Sequence, residues 1–261
     1  MKIGLVVNRE SWRLKKILVN MFAIIGLIFG VTGSVYGQTR VEVDRVKVAA
    51  AEKEKSLIEN LRHHGMEKHD VHILIVAFKA EMTLELYAKK RNDAVYTLIA
   101  VYRTCMTSGT LGPKRQQGDK QIPEGFYRIN RFNPKSQFHL SLGINYPNAS
   151  DKILATAEDP GDNILIHGGC FTIGCLPVTD DKIKEIYLYA LWARNNKQTD
   201  IPVYIFPFRM TESKFRIYST IYAKKPELVR FWENLKIGHN KFFSEKKVLD
   251  VSVNEHGEYV F

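Results

Sequence analysis

One histidine and one cysteine stand eight residues apart in the run Ile164-Leu165-Ile166-His167-Gly168-Gly169-Cys170-Phe171-Thr172-Ile173-Gly174-Cys175-Leu176-Pro177-Val178. A thiol beside an imidazole at a glycine-rich turn is what cysteine acyl transfer requires. The imidazole takes the thiol proton, and bare backbone around the sulfur leaves N–H groups to hold an oxyanion. A free cysteine titrates near 8.5 and is only a few per cent thiolate at neutral pH, so it needs that help. Gly168, Gly169 and Gly174 break any helix, so Cys175 and His167 have to meet across a loop that folds back on itself. Gly174 lets a carbonyl approach the N–H of Cys175. The Thr172 hydroxyl is placed to orient the loop or to bond substrate.

Three cysteines are present, Cys105, Cys170 and Cys175. An odd count in an exported chain leaves at least one thiol unpaired, and a disulfide framework is not expected in a domain of this size. Cys170 is read as a reduced thiol near the site, because pairing with Cys175 would silence the nucleophile. Cys105 is read as a compact apolar side chain. A zinc site on His167, Cys170 and Cys175 is the rival, but structural zinc wants four ligands at recognisable pair spacings, so no metal is expected.

The elements that must position the pair follow from periodicity. Residues 42–64 lack Gly and Pro and carry apolar residues on one helical face, with Gly65 as a stop. Val71 to Phe78, Leu84 to Tyr87 and Ala94 to Tyr102 predict a meander of antiparallel strands. Residues 108–125 predict a long loop. Phe126 to Ile129, Gln137 to Ile144 and Asn163 to His167 predict further strands, the last delivering the histidine. Thr179 caps a helix over about 180–195, with Asp180 and Asp181 in its first turn. Pro202 to Phe206 predicts a strand, and residues 211–243 predict helix in two pieces split at Pro226. Val248 to Val253 and Glu258 to Phe261 predict a terminal hairpin. The fold class is mainly β with added helices, α+β, the helices lying on the C-terminal side.

The first 37 residues stand apart. Arg9, Arg13, Lys15 and Lys16 precede an apolar run from Ile17 to Val31, followed by small residues up to Gly37. This predicts a secretory signal peptide, with an uncleaved signal anchor as the alternative. Residues 38–69 then form a helical lead-in and residues 70–261 the catalytic domain. The chain of 261 residues carries a formal charge of +10, and the five basic and one acidic residues of 1–37 leave the remainder near +6. Such a surface suits a polyanionic envelope; no nucleic-acid motif accompanies it.

Ile166-His167-Gly168 followed by Thr172-Ile173-Gly174-Cys175 resembles the signature of the YkuD-type L,D-transpeptidases. The spacer is shorter than usual in that family, and Leu176-Pro177 follow where Arg or Asn often stands. Both departures fit the YafK-like branch with its compact His-Gly-x-Cys-x-x-x-Gly-Cys run. Leu111-Gly112-Pro113-Lys114, Gly118-Asp119, Pro123-Glu124-Gly125-Phe126-Tyr127, His139-Leu140-Ser141, Tyr146-Pro147-Asn148 and Phe206-Pro207-Phe208-Arg209-Met210 match it in order. The resemblance implies a YkuD-type mixed β-sandwich with C-terminal helices, with Cys175 as nucleophile, His167 as base, and Gly174 with the Cys175 N–H at the oxyanion. It assigns Thr172, Gly168, Gly169, His139, Arg209 and Lys114 to substrate, Arg209 and Lys114 through carboxylates.

The implied substrate is the peptidoglycan stem peptide, attacked at its diaminopimelate carbonyl through an acyl-cysteine, with no cofactor. Transfer to an amine is the first reading. Hydrolysis of the same linkage, releasing a wall-attached protein or peptide, is the alternative, and a non-catalytic wall-binding protein is the reading from another class. The implied partners are stem peptides and a wall-linked lipoprotein, and the implied location is the periplasm or cell envelope.

Overall fold

Strand Val71–Phe78 is buried along nearly its whole length, and the architecture is built outward from it. The structure is a computed structural model and describes residues 43–261. The signal-peptide reading therefore falls outside the described residues. In chain order the elements are α1 (Arg45–His63), β1 (Val71–Phe78), β2 (Thr83–Lys90), β3 (Thr97–Arg103), β4 (Gly125–Asn133), β5 (Ser141–Ile144), α2 (Ala149–Ile153) and β6 (Leu165–His167). They continue as β7 (Leu176–Pro177), α3 (Asp180–Asn195), β8 (Pro202–Phe206), α4 (Glu212–Ile221), α5 (Pro226–Glu245), β9 (Ser252–Val253) and β10 (Tyr259–Val260). The fold is α+β.

Strands β1 to β8 form one mixed sheet in the order β3-β2-β1-β8-β4-β5-β6-β7. The β1–β2–β3 meander is antiparallel as expected. β8 inserts beside β1 in parallel, a neighbour far away in sequence. Side-chain alternation sends the residues of each central strand to two different cores. Ile73, Ile75, Val203, Ile205 and Tyr127 join the core under α1 and α3. Leu74, Val76, Phe78, Tyr204, Phe206 and Phe126 join the core under α5 and the C-terminal strands. A strand buried on both faces reads as a continuous apolar run, which is why β1 shows no polar alternation.

Several boundaries differ from expectation for identifiable reasons. The strand expected over 137–144 starts only at Ser141, because His139 turns the chain through φ 66°. Elements α2 and β7 are too short to show a period. Pro226 does divide the C-terminal helices, standing in the first turn of α5, where its missing N–H costs no hydrogen bond.

The cysteine expectations are corrected. Cys105, two residues beyond β3, is bonded to Cys170, with 5.5 Å between Cα atoms and a sequence separation of 65. Cys170 is therefore not a reduced thiol and Cys105 not a plain apolar side chain; Cys175 is the free cysteine. Spacing gave no hint of the pair, since the two approach only when the sheet brings its ends together. In the chain-entropy account, closing a loop of this length contributes about 4 kcal/mol.

The 104–124 loop is held by a buried ion pair. Lys79 Nζ donates to Glu124 Oε1 at 2.8 Å, with the side chains 2% and 0% exposed. Lys79 also donates to the Gly112 and Ile122 carbonyls. Glu124 accepts from the Gly112 N–H and from Trp232 Nε1 on α5. Burial pushes the Lys79 ammonium below its usual pKa, against the pull of Glu124. Removing one member of such a pair strands the other charge. Lys79→Met should therefore lower unfolding free energy by about 3–5 kcal/mol in urea denaturation; a midpoint equal to that of the unchanged protein would show the pair to be unimportant.

Candidate active site

The histidine is delivered by register. β6 pairs antiparallel with β5, setting Ser141 opposite His167 and Leu142 opposite Ile166. It pairs in parallel with β7, setting Ile166 beside Leu176 and His167 beside Pro177. Leu142, Ile166 and Leu176 are all buried in the core under α3, so alternation turns Ser141, His167 and Pro177 to the opposite face. Cys175 immediately precedes β7 and comes level with Leu165, on the same face as His167 and two residues away along the strand. Strand spacing and rise put their Cα atoms about 8 Å apart, a diagonal that side chains can close.

His167 is 1% exposed, and its ring lies over Phe138 with centroids 4.4 Å apart. Nδ1 sits 2.5 Å from the Gly168 carbonyl oxygen. A carbonyl only accepts, so Nδ1 carries the proton and Nε2 keeps its lone pair. Burial pushes the imidazole below its usual pKa, against the Gly168 carbonyl, so the ring is neutral at pH 7. This is the protonation state of a general base.

Cys175 Sγ lies 3.7 Å from the Asn163 carbonyl oxygen. Burial pushes the thiol up, opposed by the Leu165 N–H and the positive charge of Lys114. Cys175 opens onto a cavity of about 360 Å³ bordered by Lys114, Gln117, Lys120, Asp162, Asn163 and Ile173. Among the described residues Sγ and the His167 ring share no hydrogen bond, and burial favours the uncharged form of each.

The loop around the sulfur is tied internally. Thr172 Oγ1 donates to the Cys175 carbonyl at 2.8 Å and accepts from the Gly174 N–H at 3.1 Å. Gly174 has φ 140°, and a Cβ there would stand 3.0 Å from the Gln121 carbonyl oxygen. The 104–124 loop thus packs directly on the residue before Cys175, which requires glycine. Gly168 is similarly confined, since an added Cβ would lie 2.6 Å from Asp180 Oδ1. Asp180 accepts from the Gly169 N–H at 2.8 Å, joining α3 to the loop.

The expected site residues therefore divide. Cys175, Gly174, Lys114 and the Asn163 backbone converge on the cavity, with His167 behind them on the same sheet face. Lys114 Nζ is already bonded to Asp119 Oδ1 and the Gln116 carbonyl, both at 2.8 Å, so its cation is neutralised locally. Thr172, Gly168 and Gly169 shape the loop through their backbones. His139 is not at the cavity. Its carbonyl accepts from Arg45 on α1, and its Nε2 is buried without a partner among the described residues. Arg209 is elsewhere too, paired with Glu85 and lying over the Phe78 ring. The Gly168 carbonyl, Phe138 and Asp180 were not foreseen in these roles; a carbonyl carries no residue signature, and Asp180 read as an ordinary helix first-turn acid. Among the described residues no cluster of three or more His, Cys, Asp or Glu side chains could hold a metal ion.

With this geometry in hand, the chain can be set beside known proteins. Residues 72–205 match the YkuD family, described as the L,D-transpeptidase catalytic domain. YafK of Escherichia coli strain K12, an L,D-transpeptidase by name only, is 37% identical over 190 residues, covering 72% of this chain and 73% of that protein. Among solved structures, the helical cell shape determining protein Pgp2 of Campylobacter jejuni aligns with TM-score 0.42 and 16% identity, over 71% of this chain and 74% of its own. A variant of Pgp2 gives TM-score 0.42 and 20% identity over 53% of this chain, which spans about half, 48%, of that one. Bd1075 of Bdellovibrio bacteriovorus aligns with TM-score 0.39 and 24% identity, over 67% of this chain and 63% of its own.

Iodoacetamide should alkylate Cys175 alone in the unreduced protein. Because burial favours the neutral thiol, the rate should rise with pH through a midpoint above about 8.5, the ordinary thiol value. A midpoint near 6 would instead mean a resting thiolate–imidazolium pair.

Proposed function

Because this chain belongs to the YkuD family of L,D-transpeptidase catalytic domains, we propose that it is an exported cysteine enzyme acting on the diaminopimelate-containing stem peptide of peptidoglycan. The observation that carries the reading is one face of the β6–β7 pair bearing both His167 and Cys175, with Nδ1 occupied by the Gly168 carbonyl. That bond leaves Nε2 as the only imidazole nitrogen able to accept the thiol proton.

In the proposed reaction Cys175 Sγ rotates toward Nε2 and gives up its proton. The thiolate attacks the diaminopimelate carbonyl of a stem peptide lying in the cavity. The developing oxyanion is held by the Cys175 N–H, since the Gly174 N–H is already engaged by Thr172 Oγ1. Collapse expels the terminal residue as an amine that takes its proton from His167. The acyl-Cys175 intermediate then meets a second amine, which His167 deprotonates. An amine from another stem peptide gives a cross-link, and one from a wall-linked lipoprotein gives an attachment.

Gly174 acts by its missing side chain and Thr172 by fixing the carbonyl of the nucleophile. Lys114 contributes a positive field near the sulfur. The leader-like residues 1–37 support export to the periplasm, where this substrate lies. Arg209 and His139 are not carried forward as substrate ligands, since neither borders the cavity.

Exposure to a carbapenem should add its mass to the Cys175 peptide, and Cys175→Ala should abolish the adduct. His167→Gln should slow acylation by about 10²–10⁴-fold, the usual contribution of a general base. Muropeptide analysis then separates the reactions: new cross-links mean transfer, and shortened or released peptides mean hydrolysis. Stem-peptide binding without any acylation of Cys175 would point to a wall-binding protein instead.

A further inference from the structure

The geometry points to the Cys105–Cys170 disulfide as the positioning element of the nucleophile. It closes the sheet at the edge where Cys175 sits, and acyl transfer depends on it. This inference rests on the proposed acyl-transfer function.

Strands β3 and β7 are the two ends of the sheet order, so each leaves one side unpaired by any other strand. β7 is two residues long and is paired only with β6. Leu176 and Val178 are buried and the Val178 N–H donates to the His167 carbonyl at 2.8 Å, so the strand is seated from its C-terminal side, while the chain that enters it from residue 168 belongs to no strand. Cys175 is the residue immediately before it.

Cys105, just past β3, supplies the missing restraint twice. Its N–H donates to the Pro177 carbonyl at 3.1 Å, two residues after the nucleophile. Its sulfur is bonded to Cys170, five residues before the nucleophile. Cys175 is therefore bracketed from one anchor. The anchor is itself fixed, because the adjoining Thr104 N–H donates to the Met82 carbonyl at 2.9 Å and Thr104 is buried.

The segment held in this way cannot hold itself. Residues 168–174 include three glycines, which lose the most conformational freedom on ordering. Phe171 and Ile173 are 59% and 63% exposed and add little packing. Gly168 is tied at both its N–H, to the Leu140 carbonyl, and its carbonyl, to His167; beyond it come the Gly169 bond to Asp180 and the Thr172 turn. The β6–β7 register sets the diagonal between Cys175 and His167, and the covalent link restrains the N-terminal approach to Cys175 that the register leaves loose.

Two sulfurs of this chain must be oxidised while the third stays a thiol. A dithiol reductant reverses the arrangement by two exchanges. Its first thiolate attacks one sulfur of the pair and releases the other as a thiol. Its second thiolate then closes the reductant to a disulfide and frees the remaining cysteine.

The test uses the full chain. Non-reducing peptide mapping should show Cys105 joined to Cys170. The double variant Cys105→Ser/Cys170→Ser, assayed below its melting temperature with native circular dichroism, should show slower carbapenem acylation by at least about tenfold, since small misplacements of reacting groups carry such penalties. The loss should fall on the acylation rate constant rather than on binding, with a changed pH profile for Cys175 alkylation. If the crosslink were merely stabilising, its removal would lower the melting temperature and leave both untouched, and that result would overturn the inference, as would mapping of Cys170 to Cys175. Should the variant not fold, dithiol reduction and reoxidation of the folded protein decides instead: Cys175 reactivity must fall and return with the bond. Alkylation needs no substrate, so a protein that never reacts with carbapenem or stem peptide, yet shows bond-dependent alkylation, would sink the functional reading and leave the positioning role standing.

Discussion

Strand β6 contributes only three residues, and its pairing on both sides decides which of their side chains reach the core and which reach the cleft. Ile166 anchors the strand between Leu142 and Leu176 in the apolar interior. That burial locks the register, because a slip by one residue would carry Ile166 to the cleft and His167 into the core. The face that bears His167 and Cys175 is therefore fixed by the buried face behind it. The Phe138 ring packs against a histidine whose direction the sheet has already set, and the Asp180 carboxylate holds the Gly169 N–H two residues on.

Burial works against charge at both partners of the dyad. It lowers the affinity of the imidazole for a proton and raises that of the thiol. Both effects favour the uncharged pair over a thiolate–imidazolium pair. In the proposed reaction such a pair passes the proton from thiol to imidazole as substrate arrives. The Gly168 carbonyl is central to that arrangement, since it decides which ring nitrogen is free. Positive charge from Lys114 lies close enough to favour the thiolate once it forms, while its own pairing with Asp119 keeps it from reaching further.

The loop bearing the nucleophile is assembled from distant parts of the chain. Gln121 presses on Gly174, and the loop carrying Gln121 is tethered through Lys79 and Glu124 to Trp232 on α5. The C-terminal helices thus bear on the site without touching it. On the other side Cys105 and Cys170 join the end of β3 to the same loop. The three cysteines, alike in composition, are separated in chemistry by where the sheet edges fall.

Much of this protein was legible in its residues. The apolar run of β1, the Thr179 cap of α3, the Pro226 break and the His-Gly and Gly-Cys pairs each carry local signals, and local signals survive in a linear string. Fold class followed from them, and so did the choice of His167 and Cys175 as the proposed dyad. The pairing of Cys105 with Cys170, the diversion of Arg209 to Glu85 and the Gly168 carbonyl as partner of His167 did not. Each depends on where a curved sheet returns to meet itself, or on a backbone atom that every residue possesses. Periodicity and composition encode what a segment prefers to be; which segments become neighbours is decided by burying both faces of β1 at once, a condition that only the whole chain can satisfy.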